Sequence, residues 1–127
     1  MANNNRPTSP HLQIYRLPLT AKMSISHRIT GLLLSVGLIT TVLFISALAG
    51  GQSSWETAHN ILASGFGQLV LFGFSLILNY HLCNGIRHLF WDVGYGIDLE
   101  AARLSNKLVL LVSVIITLLV WSLALAS

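Results

Sequence analysis

Charge is what this sequence has least of. Only 9% of its 127 residues are Asp, Glu, Lys or Arg, against roughly 25% in ordinary soluble domains. No charged residue lies between Arg28 and Glu56, between Glu56 and Arg87, or after Lys107. Because none of these windows holds an Asp or Glu, a transporter that binds a coupling ion inside the membrane is disfavoured. Cysteine is nearly absent too: Cys83 stands alone, which excludes an internal disulfide and any paired-thiol motif. Near the end of an apolar run it reads as a small filler. Also missing is the short basic head and apolar core of a cleavable signal peptide, and residues 1–5 lack the Arg- and Ser-rich character of a transit sequence.

What is present is apolar. With 54% hydrophobic residues, the charge-free windows are each long enough for a membrane span of ~20 residues. They place spans near 29–49, 61–82 and 108–126, in an all-α membrane protein. One domain of three transmembrane helices, residues 24–127, then follows a proline-containing segment, residues 1–23. Arg6, Arg16, Lys22 and Arg28 precede the first span, and Arg87, Arg103 and Lys107 separate the second from the third. The intervening loop has Glu56 and neither Lys nor Arg. The positive-inside rule therefore sets the N-terminus and the second connection in the cytoplasm, with the C-terminus outside. This topology accounts for the basic excess, so nucleic acid is not invoked. A bacterial inner membrane is favoured over a mitochondrial one.

The prolines at 7, 10 and 18 forbid a regular helix across residues 6–18. Interleaved Leu12, Ile14 and Tyr15 suit docking on a soluble subunit. A helix is expected from Lys22, and Ser24, His27 and Arg28 share one of its faces. A plain reading makes Ser24 a cap and Arg28 a snorkelling anchor; the alternative is that the three line a site at head-group depth. The small residues Gly31, Ser35, Gly37, Ala63 and Gly67 allow helices to approach closely, and some should face partner chains, since three helices alone have little interior. Residues 50–54 read as the outer turn and His59 as an interfacial histidine beside it. Trp55, Trp91, Tyr95 and Trp121 read as aromatic belts. Gly94 and Gly96 break the second long helix, and Asp98 precedes the next. Ser113, Thr117 and Ser122 are the third span's polar groups, with a packing role.

The segment from Tyr80 to Asp92, Tyr-His-Leu-Cys-Asn-Gly-Ile-Arg-His-Leu-Phe-Trp-Asp, carries the chemistry. His81, Gly85 and His88 fall within a sector of about 60° on one helix face. A neutral imidazole at the depth of His81 can be satisfied by a hydroxyl or carbonyl of a neighbouring helix, or it can ligate a metal. Gly85 would give clearance for a flat macrocycle. His88, Arg87, His27 and Arg28 would reach its carboxylates. His59 is on the opposite membrane side, and His27 and His88 are nearer the surface, so a second axial ligand should come from another subunit.

Three stretches, Ser-Pro-His-Leu-Gln-Ile-Tyr at 9–15, Ser-Ile-Ser-His-Arg-Ile-Thr-Gly at 24–31 and His-Leu-Cys-Asn-Gly-Ile-Arg-His-Leu-Phe-Trp-Asp at 81–92, resemble the cytochrome b membrane-anchor subunits of succinate dehydrogenase, respiratory Complex II. The resemblance implies that His81 is an axial ligand of haem b, shared with a second small anchor subunit. It implies that His27, Arg28 and His88 lie near the haem propionates, and that Ser24 and Arg28 contribute to a ubiquinone site. A tyrosine, a tryptophan and a histidine that complete that site in the family belong to partner subunits. Iron–sulfur and flavoprotein subunits are the implied soluble partners, with the dehydrogenase active site located there, and membrane lipid surrounds the spans. The residues alone also admit a haem-free structural anchor, and the architecture equally suits a fumarate reductase oxidising quinol.

Overall fold

The computed structural model describes residues 14–126, so the part of the proline-containing segment at residues 1–13 lies outside the described residues. Helix α1 spans Leu19–Ala49, α2 Gln52–Ala63, α3 Gly65–Asp92 and α4 Leu99–Ala126. Three of these, α1, α3 and α4, are long and apolar enough to cross a membrane. Among the described residues there is no strand.

Helix α1 begins three residues earlier than the expected Lys22. Pro18, extended at ψ 157°, is its N-cap residue, and the Lys22 N–H donates to the Pro18 carbonyl at 3.1 Å. The restriction that proline places on chain direction thus ends at Pro18 itself, and Leu19-Thr20-Ala21 can propagate the helix. Ser24 lies inside the helix rather than at its cap. At 31 residues, α1 is roughly 46 Å long, longer than the hydrocarbon layer of about 30 Å.

The outer turn is shorter than expected and continues into a helix. Gly51, at φ 89°, takes a left-handed conformation that favours glycine. Residues 52–54, read as loop, instead open α2. Trp55, Ala58 and Leu62 are its half-buried positions, a one-sided stripe at spacings of three and four. Trp55 packs edge-on to Phe44 at 5.4 Å. Ser64 ends α2 and caps α3, its Oγ accepting the Gly67 N–H at 3.1 Å. The second span therefore starts after this corner rather than near Ile61. Gly94 and Gly96, at φ 85° and 73°, turn the chain between α3 and α4. Trp91 Nε1 closes this turn by donating to the Gly96 carbonyl at 3.0 Å, so Trp91 has a structural bond as well as an interfacial position.

Neighbouring long helices run antiparallel, with α3 packed against both α1 and α4. The interior between them is polar. Among the described residues, only Met23, Ala102 and Val109 are buried apolar ones, whereas Thr30, Asn84, Arg87, Asn106, Ser113 and Thr117 are buried polar ones. Large apolar side chains cover the outside, as expected where lipid is the solvent and interhelical hydrogen bonds and close packing provide cohesion. Along the α3–α4 seam, Asn79 Nδ2 donates to Thr117 Oγ1 at 2.9 Å and Trp121 Nε1 donates to Ser75 Oγ at 2.8 Å. Trp121 is thus half-buried with its N–H inside the bundle, beyond the belt role expected of it.

Candidate functional site

Three of the four described histidines meet where α1 crosses α3. His81 and His88 are two turns apart on α3, and His27 of α1 sits against both. The His27 and His81 rings stack face to face at 4.0 Å with 13° between their planes. His27 and His88 lie 5.3 Å apart and tilted, and His88 meets Trp91 edge-on at 5.1 Å. His59 is elsewhere, against Trp55 of α2 at 5.7 Å.

The His81 ring is fixed by a counted set of protons. Thr30 Oγ1 donates its one hydrogen to the His27 carbonyl at 2.8 Å. The same oxygen lies 3.0 Å from His81 Nδ1. Since the hydroxyl proton is committed, Nδ1–H is the donor in that contact, and Nε2 carries the free lone pair. Neutral imidazole in this tautomer is a ready metal ligand.

A glycine of the neighbouring helix lets the His81 ring approach closely. A Cβ on Gly31 would come 3.2 Å from His81 Cε1, tighter than ordinary contact, whereas one on Gly85 would meet only His27 Cε1, at 3.8 Å. Gly31 therefore provides the close approach at His81, and Gly85 faces His27. The spacing of Gly85 from His81 indicated a shared face but not which α1 side chain would occupy it.

Ser24 is half-buried and Arg28 exposed, one turn apart at the same end of α1 as His27. Among the described residues neither side chain has a hydrogen bond or ion pair within the chain, so both remain available to something outside it. Just before them, the Met23 carbonyl is a junction between helices. It accepts from Ser26 Oγ and Tyr80 Oη, each at 3.1 Å, and from Asn84 Nδ2 at 3.4 Å. Ser26 Oγ and Tyr80 Oη also lie 2.6 Å apart.

Arg87 is not the surface residue that its place near the helix end suggested; it is 5% exposed. Its Nη1 donates to Asn106 Oδ1, and its guanidinium lies over the Trp91 ring at 4.4 Å. Asn106 Nδ2 continues to Thr20 Oγ1 at 2.8 Å, so Arg87 joins three helices and faces α4. It sits about 120° around α3 from His81, away from the histidine cluster. Cys83 is half-buried beside the same α3–α4 cleft. Thr30, Tyr80, Asn84 and Asn106 escaped the sequence reading because each acts across helices, and pairing between helices leaves no mark in local spacing.

The cluster suits a planar, single-ligand group better than a bare ion. Among the described residues no set of three or more His, Cys, Asp or Glu side chains is arranged to hold a metal ion. A haem takes one nitrogen per axial side, which His81 Nε2 can supply. His27 lies flat against His81, and two imidazoles ligating one iron from opposite sides would instead point their nitrogens at each other. His27 Nδ1 is buried without a hydrogen-bond partner, a donor or acceptor available to a polar group beside the ring. The donor set therefore fits a haem held by one internal ligand.

Comparison with known proteins finds relatives along nearly the whole chain. The sequence profile of the family described as succinate dehydrogenase/fumarate reductase transmembrane subunit matches residues 2–120. The chain is 41% identical over 115 residues to the succinate dehydrogenase cytochrome b556 subunit of Paracoccus denitrificans, covering 91% of this chain and 88% of that one. It is 38% identical over 120 residues to the subunit of the same description from Rickettsia felis, covering 93% and 92%. A mitochondrial relative from Sus scrofa, a succinate dehydrogenase cytochrome b560 subunit, is 40% identical over 114 residues, covering 88% of this chain and 68% of the relative. With its three candidate spans, its histidine cluster and these matches, the chain belongs to the succinate dehydrogenase/fumarate reductase transmembrane subunit family.

Proposed function

We propose that this chain is a membrane anchor of succinate:ubiquinone oxidoreductase, that His81 is one axial ligand of a haem b, and that Ser24 and Arg28 form part of the ubiquinone-reduction site. The observation that carries the reading is the His81 ring held with Nδ1 3.0 Å from Thr30 Oγ1, which leaves Nε2 as the nitrogen open to a metal, on the face shared by α1 and α3. The second axial ligand comes from a second small anchor subunit. His27, with its unpartnered Nδ1, His88 and Arg28 supply polar contacts to the propionates. Flavoprotein and iron–sulfur subunits dock at the basic end of the bundle, where Arg16, Lys22, Arg28, Arg103 and Lys107 gather. By the positive-inside rule that end is cytoplasmic in a bacterial inner membrane. The dehydrogenase chemistry belongs to the soluble subunits.

When bound, haem b supplies a one-electron redox centre beside the quinone site. The chain's own residues bind and orient the quinone. Ser24 Oγ–H donates to a quinone carbonyl, and the exposed Arg28 guanidinium stabilises the negative charge that develops on the ring oxygens. Two electrons arrive from the iron–sulfur partner and two protons from the aqueous side, giving quinol. Ser24→Ala and Arg28→Ala in the purified complex are expected to lower quinone reductase activity roughly 10- to 100-fold, about 1.4–2.7 kcal/mol of barrier, and to leave succinate oxidation by artificial acceptors intact. If quinone reduction survives unchanged in both variants, the assignment is wrong. His81→Ala should lose or shift the b-type bands of the reduced-minus-oxidised spectrum; an unaltered spectrum removes His81 as ligand.

A further inference from the structure

We infer that Thr30 is the positioning residue that sets the tautomer and electron density of the His81 ring. The inference rests on the proposal that His81 ligates haem iron. Thr30 is 9% exposed and lies mid-helix, where a threonine hydroxyl ordinarily bonds back to a carbonyl of its own preceding turn. Here that bond goes to the His27 carbonyl at 2.8 Å, which uses the only hydroxyl proton and leaves the oxygen's lone pairs to accept from His81 Nδ1, at 3.0 Å. The result is a relay: His81 Nδ1–H to Thr30 Oγ1, and Thr30 Oγ1–H to the His27 carbonyl.

Two effects follow. First, Nε2 is the nitrogen left to bind a metal, because Nδ1 holds its proton against a group that can only accept. Second, a hydroxyl that is itself donating is a stronger acceptor, so it draws on the Nδ1 proton and makes the ring a more basic ligand. A more basic axial ligand favours the ferric over the ferrous state. The relay ends on His27, so the ring is referenced to the turn of α1 that also carries Ser24 and Arg28. Gly31 adjoins Thr30 and admits the ring edge, so two consecutive residues seat the same imidazole, one by contact and one by hydrogen bond.

The test uses the whole complex, redox-titrated in membranes with the b-type absorbance as the signal. Thr30→Val keeps the shape and removes the hydroxyl; its midpoint potential is expected to move positive. Thr30→Ser keeps the hydroxyl and should stay at the wild-type value. A Val variant with full haem and the wild-type potential, a negative shift, or an equal shift in Val and Ser each overturns the inference. If the Val variant retains no haem, haem content decides: recovery in Thr30→Ser but not Thr30→Ala supports the relay, and a Ser variant as empty as Ala overturns it. His81→Ala separates the two levels. An unchanged spectrum there sinks the haem reading itself, whereas loss of the bands together with a wild-type potential in Thr30→Val sinks only the role of Thr30.

Discussion

Asn106 joins two helices to a third with one amide. Its oxygen takes the Arg87 Nη1–H and its nitrogen donates to Thr20 Oγ1. Removing it leaves a guanidinium that is already short of partners, since Arg87 Nε and Nη2 have none within the chain. Asn106→Ala should therefore cost about 1–3 kcal/mol, the penalty for stranding a buried charged donor. Thermal denaturation of the detergent-solubilised complex reads this directly. Ser122→Ala is the control: Ser122 is exposed and bonds only to the Leu119 carbonyl of its own helix, so its effect should stay within about 0.5 kcal/mol. The contrast also marks what was legible. That His81 and His88 share a face followed from their separation by seven, a fact of helix geometry alone. That Thr30 holds His81, or that Arg87 turns inward to Asn106, depends on which helices are neighbours and how each is rotated, and single-helix periodicity carries neither.

At the scale of elements, charge-free windows were enough to locate three spans, because a low-dielectric layer imposes length and apolarity on any helix crossing it. They did not reveal α2. Its Gln52-Ser53-Ser54 start is polar enough to pass for a turn, and only the stripe Trp55, Ala58, Leu62 signals a one-sided helix. The α2–α3 corner has a strict steric requirement. A Cβ at Gly67 would run into the carbonyl oxygens of Ile61 and Leu62, while one at Gly73 would meet nothing. Gly67→Ala should open the corner and reduce recovery of assembled complex. Gly73→Ala should be neutral or stabilising by about 0.5–1 kcal/mol, the entropy that glycine gives up inside a helix. Yield and melting temperature of the two variants, prepared side by side, check both expectations.

At the scale of the whole molecule, polarity is inverted: hydroxyls, amides and a guanidinium inside, large aliphatic side chains outside. A chain so built is not meant to meet water along its length, and part of its outer face is suited to other helices. The expectation is that an affinity tag on this chain brings down two soluble subunits and a second small hydrophobic one, and that the preparation is red. A colourless preparation with the same subunits would leave a haem-free anchor as the better description. The described Lys and Arg residues gather at one end of the antiparallel bundle, the feature of topology that sequence order alone could already supply.

The serine at the α2–α3 corner has a consequence that reaches the far end of the helix. By capping α3 through Gly67, Ser64 sets the rotational phase from which every later side chain on α3 is counted. His81 is 17 residues downstream of Ser64, so one residue inserted after the corner would swing its imidazole about 100° around the helix axis and advance it about 1.5 Å. The ring would then leave Thr30 and turn toward the neighbouring sector of the bundle. Helix α3 thus behaves as a keyed shaft, with its key at one membrane face and its working tooth near the other.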